Sequence, residues 1–245
     1  MVAAIKPKDR RRLTSFYPIP RSGLQMWFAA DRCGGPADTT EITTISDISG
    51  NGRNGDGSAG PPNFKVNVKA GKPSILFDGA GDRFNVDYTS LNGAMSAFIV
   101  FLENNQDAQN SLMEKYTAAD GRNGFALRIT SGTIRFGISD AAGFDQTCSS
   151  GSTIAQAWSV GSWLYDGVTT AEIRVNGTQV ASTSAAKTMT NDAAEPIKIG
   201  TRPGAGAGYH DGYISEIILY NRLLSASEYK KVERYLGKKY AITVA

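Results

Sequence analysis

The chain has 245 residues, of which 41% are hydrophobic and 20% charged, and its formal net charge is +3. This length allows one domain or two, and the apolar content excludes global disorder. The longest apolar run, Ala97 to Leu102, is far shorter than the ~20 residues of a membrane-spanning helix, so we expect no membrane insertion. The 27 glycines follow no Gly-x-y period, which excludes collagen. They indicate many tight turns and therefore many short strands.

Positive charge is concentrated in residues 1–22, which we interpret as an extended basic arm. The residues expected to dock it on a partner are Lys6, Lys8, Arg10, Arg11, Arg12, Phe16, Tyr17 and Arg21. Asp9 is the only acid of the arm, so the arm carries +5 and the remaining chain −2. Its prolines oppose helix formation. Docking on an acidic partner and a solvated terminus are both compatible with this composition. We do not expect nucleic acid as the main ligand, because the body is not basic and no nucleic-acid motif follows the arm.

The first twenty residues lack the apolar core of about 7–15 residues that defines a secretory signal. We therefore expect synthesis in a host cytoplasm, followed by residence there or in a particle. Cys33 and Cys148 do not form a disulfide framework. We expect two free thiols, and one disulfide between these two cysteines is the alternative.

From Leu24 onward, short apolar runs alternate with Gly, Asn, Asp and Ser, at the spacing of strands in a sandwich or barrel. Period-two alternation is clearest around Phe125, Leu127 and Ile129. The predicted strands are Leu24–Phe28, Ile42–Ser46, Phe64–Val68, Ser74–Phe77, Arg83–Val86, Met95–Glu103, Leu112–Tyr116, Gly124–Ile129, Thr133–Ile138, Ser152–Val160, Glu172–Val175, Gln179–Thr183, Ile197–Gly200 and Gly212–Tyr220.

Two local signals are especially clear. Asn176-Gly177 predicts a hairpin, because a type I′ turn requires positive φ at both central residues. Ser225 and Glu228 form a capping-box pattern, which predicts a helix over residues 226–239. We expect this helix to cover one edge or pole of the sandwich. No further boundary is visible, so residues 23–245 are predicted to form one domain.

Several segments resemble, in the expected order, the laminin-G-like and concanavalin-A-like lectin/glucanase jelly rolls. They are Asp47–Gly55 (DISGNGRNG), Leu76–Asp82 (LFDGAGD), Trp158, Tyr165–Gly167, Ile173–Gly177 and Gly212–Ser225. The resemblance implies an all-β fold: a two-sheet antiparallel jelly-roll β-sandwich, here with an N-terminal arm and a short C-terminal helix. Since this fold carries lectins, glycanases, adhesion modules and virion proteins, it does not by itself fix the function.

The arm and the resemblance together favour a structural protein of a virus particle. We expect a bacteriophage capsid decoration or tail protein, located in the virion, that docks on other virion subunits through the arm. We also expect association with copies of itself and adsorption to cell-surface glycans. The alternatives are a bacterial carbohydrate-binding or adhesion module and a glycan hydrolase.

The sequence does not predict an enzyme. Glycan hydrolysis uses two carboxylates that flank the bond, and the family's hydrolases place them in alternation on one strand. Here the candidates are scattered: Glu103, Glu114, Glu172, Glu195 and Glu216. One histidine and two distant cysteines provide neither a nucleophilic triad nor a zinc site.

Sugar binding requires an exposed aromatic ring beside planar polar groups. The predicted glycan-binding candidates lie in two loops and are Arg122, Arg202, Tyr209, His210 and Asp211. Trp27 and Trp158 lie in apolar strands and are predicted to pack in the core. No cofactor or metal is expected. Calcium binding by Asp47, Asp56, Asp78 and Asp82 is an alternative that the sequence leaves open, although Asx turns also explain these four residues.

Overall fold

The computed structural model describes residues 18–88, 91, 93–105, 109–117, 122–140, 143–184, 186–190, 195–204 and 208–245, with the backbone alone at 117, 122–123 and 143–147. Of the arm, Lys6, Lys8, Arg10, Arg11, Arg12, Phe16 and Tyr17 lie outside these residues. At the described end of the arm Arg21 is exposed, but Ile19 is only 2% exposed and packs on the sandwich.

The chain forms a two-sheet β-sandwich with one C-terminal helix, which confirms the predicted fold class. The strands are β1 Leu24–Ala29, β2 Thr44–Ile45, β3 Gly55–Asp56, β4 Asn63–Lys69, β5 Lys72–Asp78, β6 Phe84–Val86, β7 Met95–Glu103, β8 Gln109–Thr117, β9 Arg122–Thr130, β10 Thr133–Asp140, β11 Gly143–Ser149, β12 Ser159–Tyr165, β13 Ala171–Val175, β14 Thr178–Thr183, β15 Ile197–Ile199 and β16 Asp211–Tyr220. Helix α1 spans Ala226–Tyr240, and a short 3₁₀ helix, Ala30–Arg32, follows β1.

Both sheets are antiparallel throughout the described pairings. Sheet A has the order β14-β13-β12-β7-β16-β5-β4, and β1 also pairs with β16. Sheet B has the order β11-β10-β9-β8-β15-β6-β3-β2. The inner faces enclose a core that includes Phe101, Phe136 and Trp163, each at most 1% exposed.

A second apolar layer lies outside sheet A, because α1 packs on that face. Val232, Leu236 and Tyr240 of the helix contact a cluster that includes Phe98 and Ile218 of the sheet. The central strands of sheet A are therefore buried on both faces, and β12 has no exposed residue at all. No helix within the described ranges is long and apolar enough to cross a membrane.

The turn and cap signals are confirmed. Asn176 and Gly177 have φ of 51° and 79° and join β13 to β14. The capping box forms at the start of α1, where the Ser225 amide donates 3.0 Å to Glu228 Oε2. Cys33 and Cys148 are both free thiols, and burial raises their pKa to about 11 and about 12.

One strand prediction is wrong, and two strands, β3 and β11, are not predicted. The predicted strand Ser152–Val160 is mostly loop, and the strand of this region is β12, which starts at Ser159. β11 is not predicted, because FDQTCS combines polar and apolar residues without a clear apolar run. It is nevertheless a strand, since it pairs with β10 at the edge of sheet B.

Candidate functional site

The outer face of sheet A carries a row of partly exposed apolar side chains that includes two aromatic rings. Tyr213 of β16 is the register partner of Leu76 in β5 and of Leu102 in β7. Trp158 comes directly before β12, and its ring centroid is 5.8 Å from that of Tyr213 at an interplanar angle of 41°. All four side chains are half-buried. We call Leu76, Leu102, Trp158 and Tyr213 the aromatic row.

A second row, made of polar side chains, lies beside the aromatic row. Asp211 stands two residues before Tyr213 on the same face of β16 and pairs with Asp78 of β5. Asn104 donates from Nδ2 to Asp211 Oδ1 at 3.2 Å. The Gln156 side chain donates to the Asn104 carbonyl. We call Asp78, Asn104, Gln156 and Asp211 the polar row.

The polar row is supported from inside the protein by Asn110. Its Oδ1 accepts from the Asp211 amide at 2.8 Å, and its Nδ2 donates to Glu103 Oε1 at 2.7 Å and to the Asn105 carbonyl at 2.6 Å. Burial raises the pKa of Glu103 to about 7, and the charge of Asp211 adds to the rise. The hydrogen bond from Asn110 acts in the opposite direction and lowers this pKa. This buried support fixes the backbone that carries Asp211.

The carboxylates considered for calcium have structural partners. Asp47 Oδ1 accepts from the amides of Trp27 and Ser49 at 3.0 and 2.9 Å. Burial alone would raise the pKa of Asp78, but hydrogen bonds from the Ala80 and Gly81 amides hold it below its usual value. The prediction that such residues form turns is thus confirmed for both.

The other two carboxylates behave in the same way. Asp56 Oδ1 accepts from the Ser58 amide at 2.9 Å. Asp82 Oδ2 accepts from the Asp78 amide at 3.0 Å, while burial, followed by the Asp78 charge, raises its pKa to about 6. Within the described ranges, no group of three His, Cys, Asp or Glu side chains could hold a metal ion.

The structure divides the predicted glycan-binding residues. Asp211 belongs to the polar row. Arg202 and Tyr209 are half-buried in the loop that runs against β8, where the Ser111 amide donates to the Gly208 carbonyl at 3.2 Å. Arg122 starts β9, with its backbone opposite Thr117. Of the five candidates, Asp211 is the one that the polar row includes.

His210 corrects the sequence prediction, because its ring is completely buried. It immediately precedes Asp211, and strand alternation turns it toward the interior when Asp211 points outward. The ring packs against Phe77 with centroids 5.8 Å apart. Burial lowers the pKa of His210 to about 4. A neutral, buried imidazole has no surface with which to contact a sugar.

Three of the scattered glutamates, Glu114, Glu172 and Glu216, are held by structural partners. Glu216 is 1% exposed and accepts hydrogen bonds from four side chains. The donors are Trp27 Nε1 at 2.7 Å, Tyr235 Oη at 3.0 Å, Lys239 Nζ at 2.7 Å and Tyr240 Oη at 2.9 Å. Glu114 is buried against Arg128 at 2.8 Å, and Glu172 pairs with Arg174 at 2.7 Å. These carboxylates stabilise the fold.

The sequence prediction misses the aromatic row. It assigns Trp158 to the core, and the ring does pack against the apolar cluster outside sheet A, but it stays partly exposed beside Tyr213. The residue that is fully buried instead is Trp163, at 0% exposure. The family resemblance includes Trp158 and Tyr213, but no local pattern shows that α1 leaves their end of sheet A uncovered.

Comparison with known proteins agrees with this architecture. The binding domain of botulinum neurotoxin DC in complex with rat synaptotagmin II has a TM-score of 0.65 and 9% identity, covering 88% of this chain and 52% of that one. The same domain in complex with SialylT has a TM-score of 0.64 and 10% identity, covering 89% of this chain and 52% of that one. The binding domain of botulinum neurotoxin serotype D has a TM-score of 0.60 and 14% identity, covering 88% of this chain and 52% of that one.

The chain thus spans about half the length of these structures, and at such identities the likeness concerns the fold alone. A search of curated proteins finds no match. Residues 78–229, more than half of the chain, match the Laminin_G_3 family. The chain therefore belongs to the concanavalin A-like lectin/glucanases superfamily.

Proposed function

We propose that the protein is a non-enzymatic carbohydrate-binding module whose site is formed by the aromatic row and the polar row. The observation that carries the proposal is the pair of partly exposed rings, Trp158 and Tyr213, 5.8 Å apart on the outer face of sheet A. Such rings offer apolar area to the C–H face of a pyranose, and they lose little conformational entropy on binding. Leu76 and Leu102 extend this apolar surface on both sides of Tyr213.

The polar row supplies the directional part of recognition. Sugar hydroxyls both donate and accept, so they suit carboxylates and amides placed beside a stacking surface. The hydrogen bond from Asn104 to Asp211 and the contact from Gln156 to Asn104 hold three of these side chains in place before any ligand arrives. Preorganisation of this kind reduces the free-energy cost of binding.

A printed array of bacterial and animal oligosaccharides, probed with the full chain, tests the proposal. Trp158→Ala and Tyr213→Ala are expected to lower the signal of the bound glycans by about tenfold or more, the equivalent of roughly 1.4 kcal/mol. Tyr209→Ala is the matched control, because Tyr209 is also half-buried but lies in the loop against β8. An unchanged signal in both row variants, or an equal loss in the control, would contradict this site.

A second proposal concerns attachment. The high positive charge of residues 1–22 supports docking of the arm on an acidic surface of a larger assembly, such as a phage capsid or tail in which the protein is a decoration or adsorption subunit. Deletion of residues 1–17 should abolish co-sedimentation with assembled particles and leave glycan binding unchanged. Equal attachment at low and at high salt would contradict the electrostatic part of this proposal.

A further inference from the structure

A groove of about 590 Å³ lies along α1, and no residue of the aromatic or polar row lines it. Its walls are formed by α1, by Lys72 at the start of β5 and by Pro18. Five cationic side chains line it: Lys72, Lys231, Arg234, Lys238 and Lys239. We call it the cationic groove. The charge of this surface is not apparent from the formal net charge of the chain, which is only +3.

Four of the five cations have no ionic partner within the described part of the chain. Lys239 is neutralised by Asp31 at 2.8 Å and by Glu216 at 2.7 Å. Lys72, Lys231, Arg234 and Lys238 form no ion pair with any described residue. Cations gathered in a concave surface reinforce each other's field and attract anions to it. The groove is therefore electrostatically complementary to an anionic ligand.

The groove also contains a rigid aromatic wall. The Tyr235 hydroxyl donates to Glu216 Oε1 at 3.0 Å, and its ring meets the Trp27 ring edge-on with centroids 6.1 Å apart. These two contacts immobilise a ring that is itself only half-buried. A planar or ring-shaped part of a ligand can pack against it without ordering the side chain first.

The cations of α1 are spaced regularly along one face of the helix. Lys231, Arg234 and Lys238 follow one another at intervals of three and four residues, so successive charges are separated by about 5 Å along the helix axis. Such a line of charges suits a short polymer that carries an anionic group on successive units. Lys72 supplies a charge from the opposite wall.

We propose that the cationic groove binds an acidic oligosaccharide. A sugar ring packs against Tyr235, and its carboxylate or sulfate groups meet Lys72, Lys231, Arg234 and Lys238. A flat lipid surface would reach the exposed lysines of α1 but not the Tyr235 wall inside the groove. The inference is independent of the aromatic row, because it needs no contact with Trp158 or Tyr213.

Calorimetric titration with a heparin hexasaccharide tests this site, with neutral maltohexaose as the comparison ligand. The full chain is used with Arg10, Arg11 and Arg12 replaced by alanine, so that the cations of the arm do not mask those of the groove. Lys231→Glu is expected to weaken heparin hexasaccharide binding by about fivefold or more, and the double change Arg234→Glu with Lys238→Glu by about tenfold or more. Lys230→Glu is the matched control, because Lys230 is exposed on the same helix but does not line the groove, and it should change the affinity by less than about twofold.

Trp158→Ala separates this inference from the proposed glycan site. It should leave heparin hexasaccharide binding unchanged even where it abolishes binding to the array. Absence of binding, equal affinity for maltohexaose, or equal losses in Lys230→Glu and Lys231→Glu would overturn the proposal. Tighter binding of a short single-stranded oligodeoxynucleotide or of phosphatidylserine vesicles would likewise overturn the assignment to an acidic sugar.

Discussion

The indole nitrogen of Trp27 donates a 2.7 Å hydrogen bond to the carboxylate of Glu216, joining the neighbouring strands β1 and β16 on the face of sheet A that α1 covers. Tyr235, Lys239 and Tyr240 from the helix converge on the same carboxylate. One buried anion thus connects β1, β16 and α1. This network fixes how far the helix extends over the sheet, and therefore which part of the outer face stays open as the aromatic row.

Glu216→Ala is expected to destabilise the fold strongly. It leaves the half-buried Lys239 without its Glu216 partner and the side-chain donors of Trp27 and Tyr235 unpaired, and loss of one member of a buried ionic network typically costs about 3–5 kcal/mol. Urea unfolding measures the change in the free energy of unfolding. Glu172→Ala is the control, because Glu172 is partly exposed in its pair with Arg174, and its loss should cost about 1 kcal/mol or less. Equal costs for the two variants would contradict the role given to the network.

The start of α1 should show a stability that depends on acid pH. Arg222 donates to both oxygens of Glu228 at 2.8 and 2.6 Å, which lowers the pKa of Glu228 from 4.5 to about 2. This stabilisation is present above pH 4.5 and is lost as the pH falls toward 2. Because the two side chains are 29% and 30% exposed and solvent screens their attraction, Glu228→Gln should cost about 1 kcal/mol at pH 7 and less at pH 2, measured by urea unfolding. A cost that does not change with pH would contradict the assignment.

His210 provides a direct probe of burial, since it is the only histidine in the chain. Its burial next to Phe77 lowers its pKa from 6.5 to about 4. The unfolded chain therefore binds a proton that the folded chain excludes, and stability should fall as the pH drops from 6.5 to 4. Proton NMR of the single imidazole measures the midpoint. A midpoint near 6.5 in the folded protein would mean that the ring is exposed after all.

Glu103 should have the opposite effect on stability. Burial raises its pKa from 4.5 to about 7, so the folded protein retains a proton that the unfolded chain releases. The stabilising contribution is complete below pH 4.5 and is lost as the pH rises through 7. Glu103→Gln should flatten this decline in urea unfolding measured between pH 5 and 8, since an amide of the same shape does not ionise. An unchanged pH profile would exclude Glu103 as its cause.

Much of the fold is predictable because its signals are local. The strand Met95–Glu103 is found with the predicted bounds, and Asn176-Gly177 forms the predicted hairpin. Both follow from side-chain pattern or backbone preference within a few residues. The strand at Ser159–Tyr165 is harder to predict, since it is buried on both faces and contains Gly161 and two serines instead of alternating residues.

The candidate site could be predicted only in part, because exposure is a property of the assembled protein. Asp211 is a candidate from its glycine-rich loop, and the structure places it in the polar row. Trp158 and Trp163 lie close together in the chain, yet Trp158 remains partly exposed and Trp163 is completely buried. What separates them is the part of sheet A that α1 covers, which depends on the distant partners Trp27, Glu216 and Lys239.

Calorimetric titration with the strongest array ligand measures whether the aromatic row binds a glycan by stacking. Trp158→Ala should weaken binding by about tenfold or more, whereas Trp158→Phe, which keeps a ring beside Tyr213, should remain within about threefold of the original affinity. Thermal unfolding of both variants verifies that they are folded. Unchanged affinity in a folded Trp158→Ala protein would contradict the account.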